Sequence, residues 1–170
     1  MKNKKLLTIL LAAVVVAAGV IFALTSVEEK AGTSALTMTA DKESYKPGET
    51  VTCTVALGPT SDLVGLKFLP GIPEGLTYVE NSGAAAEGLQ EKMNAVKVEF
   101  VEKSGAFVLL GDTAYTSEEE TVLMTFRCTV DPEASGELTL GFAEDKLECF
   151  NMDNEDIDCP MEGVTIRVES

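Results

Sequence analysis

The chain contains no histidine and no tryptophan, and each absence removes a class of chemistry. Without an imidazole there is no Ser-His-Asp or Cys-His nucleophile arrangement and no His-containing zinc site. With no indole, and only three tyrosines scattered at Tyr45, Tyr78 and Tyr115, a flat aromatic platform for stacking sugars has little to be built from. Basic residues are scarce as well: 13 Lys and Arg stand against 28 Asp and Glu, a formal net charge of −15. That balance argues against nucleic acid and against an anionic membrane surface as partners. No phosphate-cradling glycine loop, CxxC pair or internal repeat is present. A glycosidase needs only two facing carboxylates, so that class stays open by inventory, but no acidic pair stands out. The expectation is a protein that is not an enzyme.

One long hydrophobic run is present. Lys2, Lys4 and Lys5 precede Leu6 to Leu24, an uncharged stretch in which Thr8 is the single polar side chain. Such a segment is a targeting element whose positive flank stays on the cytoplasmic side while the rest is delivered across the membrane. Residues 1–26 are therefore expected to be a signal peptide or an uncleaved anchor helix. The run is close to the roughly 20 residues that span a bilayer and longer than the usual cleavable apolar region of about 7–15, although Ile21 and Ala23 suit the positions before a cut. No cysteine follows it, which excludes lipoprotein processing. Residues 27–34 read as a linker and 35–170 as one folded domain, since about 140 residues can bury one core but not two comfortable ones. The expected location is extracellular, secreted or tethered to the outer face of the cytoplasmic membrane. If uncleaved, the N-terminal segment is the membrane contact.

Beyond the leader, strand signals dominate. Residues 36–40 and 51–57 alternate with period two, and Lys46-Pro-Gly-Glu49 between them has turn chemistry. Further apolar or alternating runs follow at 63–69, 76–79, 96–101, 106–110, 122–130, 137–142, 146–150 and 164–168, each bounded by Gly, Pro, Asp, Asn or Ser. This pattern predicts an all-β sandwich or barrel. Residues 84–94 are expected to interrupt it as a short surface helix. Alternation puts Val51, Cys53, Val55 and Leu57 on one core face, and Val122, Met124, Phe126, Cys128 and Val130 on another. Tyr45 and Tyr78 read as packing residues at strand ends.

Cys53 and Cys128 thus sit on core faces, either bridged if their strands are neighbours or buried as free thiols. Cys149 and Cys159 enclose an acidic loop, and export would permit their oxidation. Four cysteines allow three pairings, of which Cys53–Cys128 with Cys149–Cys159 is preferred. Within the loop, Asp153, Glu155, Asp156 and Asp158 offer the hard oxygens that calcium takes. They are the metal candidates, although the spacing is not that of an EF-hand and a solvated turn is the plainer reading.

The order Leu36-Thr-Met-Thr-Ala-Asp-Lys-Glu-Ser-Tyr-Lys-Pro-Gly-Glu-Thr-Val-Thr-Cys-Thr-Val-Ala-Leu57, then Gly65-Leu-Lys-Phe68, Pro73-Glu-Gly-Leu76, Gly111-Asp112, Val122-Leu-Met-Thr-Phe-Arg-Cys-Thr-Val130 and Gly163-Val-Thr-Ile-Arg-Val168, resembles a bacterial cohesin-type domain. The resemblance implies a two-sheet jelly-roll sandwich of about nine strands, related to certain carbohydrate-binding modules. It further implies a non-catalytic function, binding a dockerin-type protein module in a polysaccharide-degrading assembly. The strands at 50–57 and 122–130 would be neighbours, bringing Cys53 near Cys128. The partner surface would be the sheet holding residues 65–69, 96–101, 106–110 and 137–142, with Lys67, Lys97 and Glu99 facing outward. Which face of Phe107-Val-Leu-Leu110 is exposed stays open, because all four residues are apolar. Leu69-Pro-Gly-Ile-Pro73 followed by Glu-Gly-Leu-Thr-Tyr-Val79 also resembles immunoglobulin-like surface adhesins. The alternative reading is accordingly a carbohydrate-binding or adhesin module with a polysaccharide as partner.

Overall fold

The structure is a computed structural model that describes residues 34–169. The expected signal or anchor helix at 1–26 and all but the last residue of the linker lie outside the described residues. Among the described residues no helix is long and apolar enough to cross a membrane.

In chain order the elements are β1 (Leu36–Ala40), β2 (Ser44–Tyr45), β3 (Thr50–Leu57), β4 (Thr60–Phe68), β5 (Pro70–Gly71), β6 (Leu76–Tyr78) and β7 (Ala84–Ala85). They continue with α1 (Leu89–Lys92), β8 (Ala95–Val101), β9 (Ala106–Ser117), β10 (Thr121–Val130), β11 (Gly136–Phe142), a 3-10 turn (Glu144–Lys146), β12 (Glu148–Phe150), β13 (Met161–Glu162) and β14 (Val164–Val168). Three ladders organise them. One runs β13-β1-β3-β10-β6 with β7 also on β10, a second runs β2-β14-β11-β5, and the third runs β12-β4-β9-β8. All three contribute to one hydrophobic core, with Leu36, Val55, Phe126 and Val130 from the first, Leu140 and Ile166 from the second, and Leu66, Phe68 and Phe107 from the third. The result is a β-sandwich.

Local chemistry explains the strand ends. The Lys46-to-Glu49 turn closes because Gly48 adopts φ 83°, a value a side chain resists, and the Glu49 N–H donates to Lys46 O at 3.0 Å. After β1, the Asp41 carboxylate accepts the Thr52 N–H and the Tyr45 hydroxyl, the latter at 2.9 Å. Tyr45 is buried, and its oxygen in turn accepts the Lys42 N–H at 2.8 Å. Burial acts to raise the Asp41 pKa, but the hydrogen bonds from Thr52 and Tyr45 outweigh it and hold the carboxyl below its ordinary value. Burial together with the bond to Asp41 pushes the Tyr45 phenol up.

The expected alternation holds in β3, where Val51, Cys53, Val55 and Leu57 are all fully buried. In β10 it holds from Met124 to Val130 and fails before that. A β-bulge lies between Val122 and Met124, so Val122 is 44% exposed whereas Leu123 and Met124 are both buried. The extra residue reverses the side of everything N-terminal to it. The helix expected over 84–94 shrinks to the single turn α1, since Ala84 and Ala85 pair with β10 instead and Gly88 sits at φ 71° just ahead of the helix.

Candidate partner-binding face

The β12-β4-β9-β8 ladder buries one face and presents the other to solvent. Register fixes the inner row as Cys149, Leu66, Leu109 and Val98. Phe68 and Phe107 lie one step along it, stacked with ring centroids 5.0 Å apart. The alternate positions form two outward rows. Glu148, Lys67, Val108 and Glu99 make one, and Phe150, Gly65, Leu110 and Lys97 make the other. The apolar tetrad Phe107 to Leu110 is therefore split by the pleat: Phe107 and Leu109 are in the core, Val108 is half-buried and Leu110 is 40% exposed.

Three features shape the centre of this face. Gly65 leaves room for the Phe150 ring, which lies where a Cβ on Gly65 would be. A glycine inside a strand commonly marks such a close approach. At the β8 bulge between Ala95 and Lys97, Val96 is 56% exposed. Around this aliphatic and aromatic strip the charges are matched. Lys67 pairs with Glu148 across the β4–β12 ladder, and Lys97 pairs with Glu99 at 2.7 Å. These two lysines and two glutamates compensate one another on a strongly acidic chain. Being exposed, such pairs contribute little to stability. An apolar centre with a compensated polar border is the arrangement of protein interfaces.

The structure gathers all three residues expected on the partner surface, Lys67, Lys97 and Glu99, onto this face. It corrects the fourth strand. Residues 137–142 are β11, which pairs with β14 and β5, and β12 takes the place beside β4. Glu148 and Phe150 were thus missed, as was the exposure of Leu110 and Val96. Gly65 in the interior of a strand was the available signal for Phe150.

The acidic loop is organised by an asparagine. Asn151 Oδ1 accepts the N–H groups of Asp153 at 3.0 Å and Glu155 at 2.9 Å, and its amide donates to Glu155 Oε2 at 3.2 Å. Asp153, Glu155, Asp156 and Asp158 are all exposed, and among the described residues no three His, Cys, Asp or Glu gather where a metal ion would sit. Concavities lie elsewhere among the described residues. A groove of about 660 Å³ is lined in part by Glu74, Asp131 and Glu133, of which Asp131 accepts the Thr77 hydroxyl at 2.7 Å. A cleft of about 230 Å³ lies among Ile72, Tyr78, Phe100, Glu102 and Phe126, with the Tyr78 hydroxyl donating to Glu102 at 2.8 Å. The first offers solvated carboxylates and the second a single one. All four cysteines are buried free thiols, Cys53 neighbouring Cys128 and Cys149 neighbouring Cys159.

No protein-family model and no curated sequence matches the chain. Solved structures do. A non-cellulosomal cohesin from the hyperthermophilic archaeon Archaeoglobus fulgidus superposes with a TM-score of 0.56 at 14% identity, over 81% of this chain and 93% of that one. The cohesin of a type I cohesin–dockerin complex from Clostridium thermocellum gives 0.55 at 13%, over 81% and 97%. The sixth cohesin of scaffoldin B from Acetivibrio cellulolyticus, solved with a dockerin, gives 0.54 at 16%, over 80% and 99%. The fold is of the cohesin type.

Proposed function

We propose that this chain is a non-catalytic, cohesin-like binding module that docks a dockerin-type protein module on the outward face of the β12-β4-β9-β8 ladder. The observation that carries the proposal is the face itself, where Leu110, Val108 and Phe150 lie beside the Lys67–Glu148 and Lys97–Glu99 pairs. Exposed apolar surface inside a neutral polar border fits a protein partner. The large side chains left well exposed among the described residues are Val96, Leu110, Val122 and Met152, none of them aromatic, which favours protein over sugar. Several cohesins of this fold were solved in complex with dockerins, which supports the choice of partner class. The archaeal cohesin is non-cellulosomal, so the fold does not by itself entail polysaccharide degradation.

The encounter takes place outside the cytoplasm, a reading supported by the basic and apolar leader at residues 1–26. A non-catalytic role is supported by the missing histidine. The test is capture by the full chain, in detergent, of type I and type II dockerin modules and of insoluble polysaccharides in parallel. Saturable retention of a dockerin is expected. Retention of polysaccharide alone would replace this reading with the carbohydrate-binding one.

A further inference from the structure

The docking face leaves four buried cysteines without a role, and they are paired by the fold itself. Cys53 on β3 and Cys128 on β10 lie on the core face of adjacent antiparallel strands. Cys53 is opposite Phe126, and Cys128 is opposite Val51, so the two are diagonal neighbours, both fully buried. The neighbouring Cys128 thiol together with burial pushes the Cys53 thiol up. Cys149 and Cys159 are brought together by the acidic loop. The Ile157 N–H donates to Cys149 O at 2.8 Å, and Phe150 bridges Asp156. The neighbouring Cys159 thiol together with burial likewise pushes the Cys149 thiol up.

The second pair joins two ladders. Cys149 sits in the three-residue strand β12, which pairs with β4 at the edge of the docking sheet. Cys159 belongs to the other side: its thiol donates to Ser34 O at 2.6 Å, the next residue accepts the Leu36 N–H at 2.8 Å, and β13 then pairs with β1. A bond here would fasten the strand carrying Glu148 and Phe150 to the opposite ladder.

We infer that in the exported protein both pairs are disulfides, Cys53–Cys128 and Cys149–Cys159, and that the second fixes the β12 edge of the docking face. The bonds stand independently of the docking reading, and only the consequence for the face rests on it. In each pair two S–H bonds break and one S–S bond forms. Two electrons and two protons pass to a disulfide-bearing oxidant, whose own disulfide is reduced to two thiols. Thiols this deeply buried meet such an oxidant before the core closes.

The test is performed on the full chain exported from cells, unfolded in denaturant and exposed to a maleimide with and without prior reduction. No label without reduction and four labels after it are expected, and peptide mapping should recover the links 53–128 and 149–159. A labelled cysteine in the unreduced chain, or a crosswise link, would overturn the assignment. For the consequence at the face, the Cys149→Ser, Cys159→Ser double variant is compared with the parent by amide hydrogen exchange. Exchange at 148–150 should rise about tenfold while β3 is unchanged. Equal protection of 148–150 in both chains would remove β12 from the role assigned to the bond.

Discussion

Gly65 and Phe150 show how single residues build the proposed interface. The ring occupies the volume that a Cβ at position 65 would take, so Gly65→Ala should swing Phe150 off the sheet with a modest stability loss of about 1 kcal/mol. Partner affinity should fall by a larger factor than the melting temperature suggests, which calorimetry on both properties can check. Asp41 offers a second residue-scale prediction. Its folded pKa is depressed, so its contribution is complete above the unfolded value and is lost as pH falls through the folded one. Asp41→Asn should cost about 1 kcal/mol at neutral pH, and the gap to the parent should narrow below about pH 4. Denaturant titrations at neutral and acid pH would show it, and a gap that widened in acid would refute the assignment. At this scale the sequence was partly legible. Lys67, Lys97 and Glu99 came from the resemblance to a cohesin partner sheet, whereas nothing in the sequence of the acidic loop shows that Asn151 accepts the N–H groups of Asp153 and Glu155.

Among the elements, the strands that read clearly are those whose two faces differ chemically. In β3 the sequence Val-Thr-Cys-Thr-Val states its own burial, and its register follows. β10 begins Thr-Val-Leu-Met, three successive apolar residues after the threonine, so no pattern reveals the bulge at 122–124. The same holds for β9, where four apolar residues in a row hide that Val108 and Leu110 point outward. The bulge makes a prediction contrary to simple alternation. Val122→Thr should leave stability within about 0.5 kcal/mol of the parent, while Leu123→Ala should cost about 2–5 kcal/mol. Chemical denaturation of the two variants distinguishes the registers, and the reverse order would mean the bulge lies elsewhere. β11 was placed in the wrong sheet for another reason. The local pattern of 137–142 is a good strand, but sequence gives no partner, and Leu138 and Leu140 find theirs against β14.

For the whole molecule, the all-β class, as a sandwich or a barrel, followed from strand spacing and turn chemistry, and the choice of a cohesin-type sandwich from the resemblance carried by its motifs. What spacing does not fix is which ladder faces a partner, since both sheets alternate alike. The charge distribution helps. A chain with 28 acidic residues places two of its lysines on one sheet face and pairs each with a glutamate, so the apolar strip between them is not surrounded by repulsion. The central claim is that this strip docks a protein. Its most direct test is calorimetric titration of a captured dockerin module into the parent chain and into Leu110→Glu, with melting of both chains measured alongside. Because Leu110 is 40% exposed, the variant should melt as the parent does and yet lose about 30-fold or more in affinity, the loss expected of a central interface residue. Undiminished binding by a fully folded Leu110→Glu chain would contradict the account.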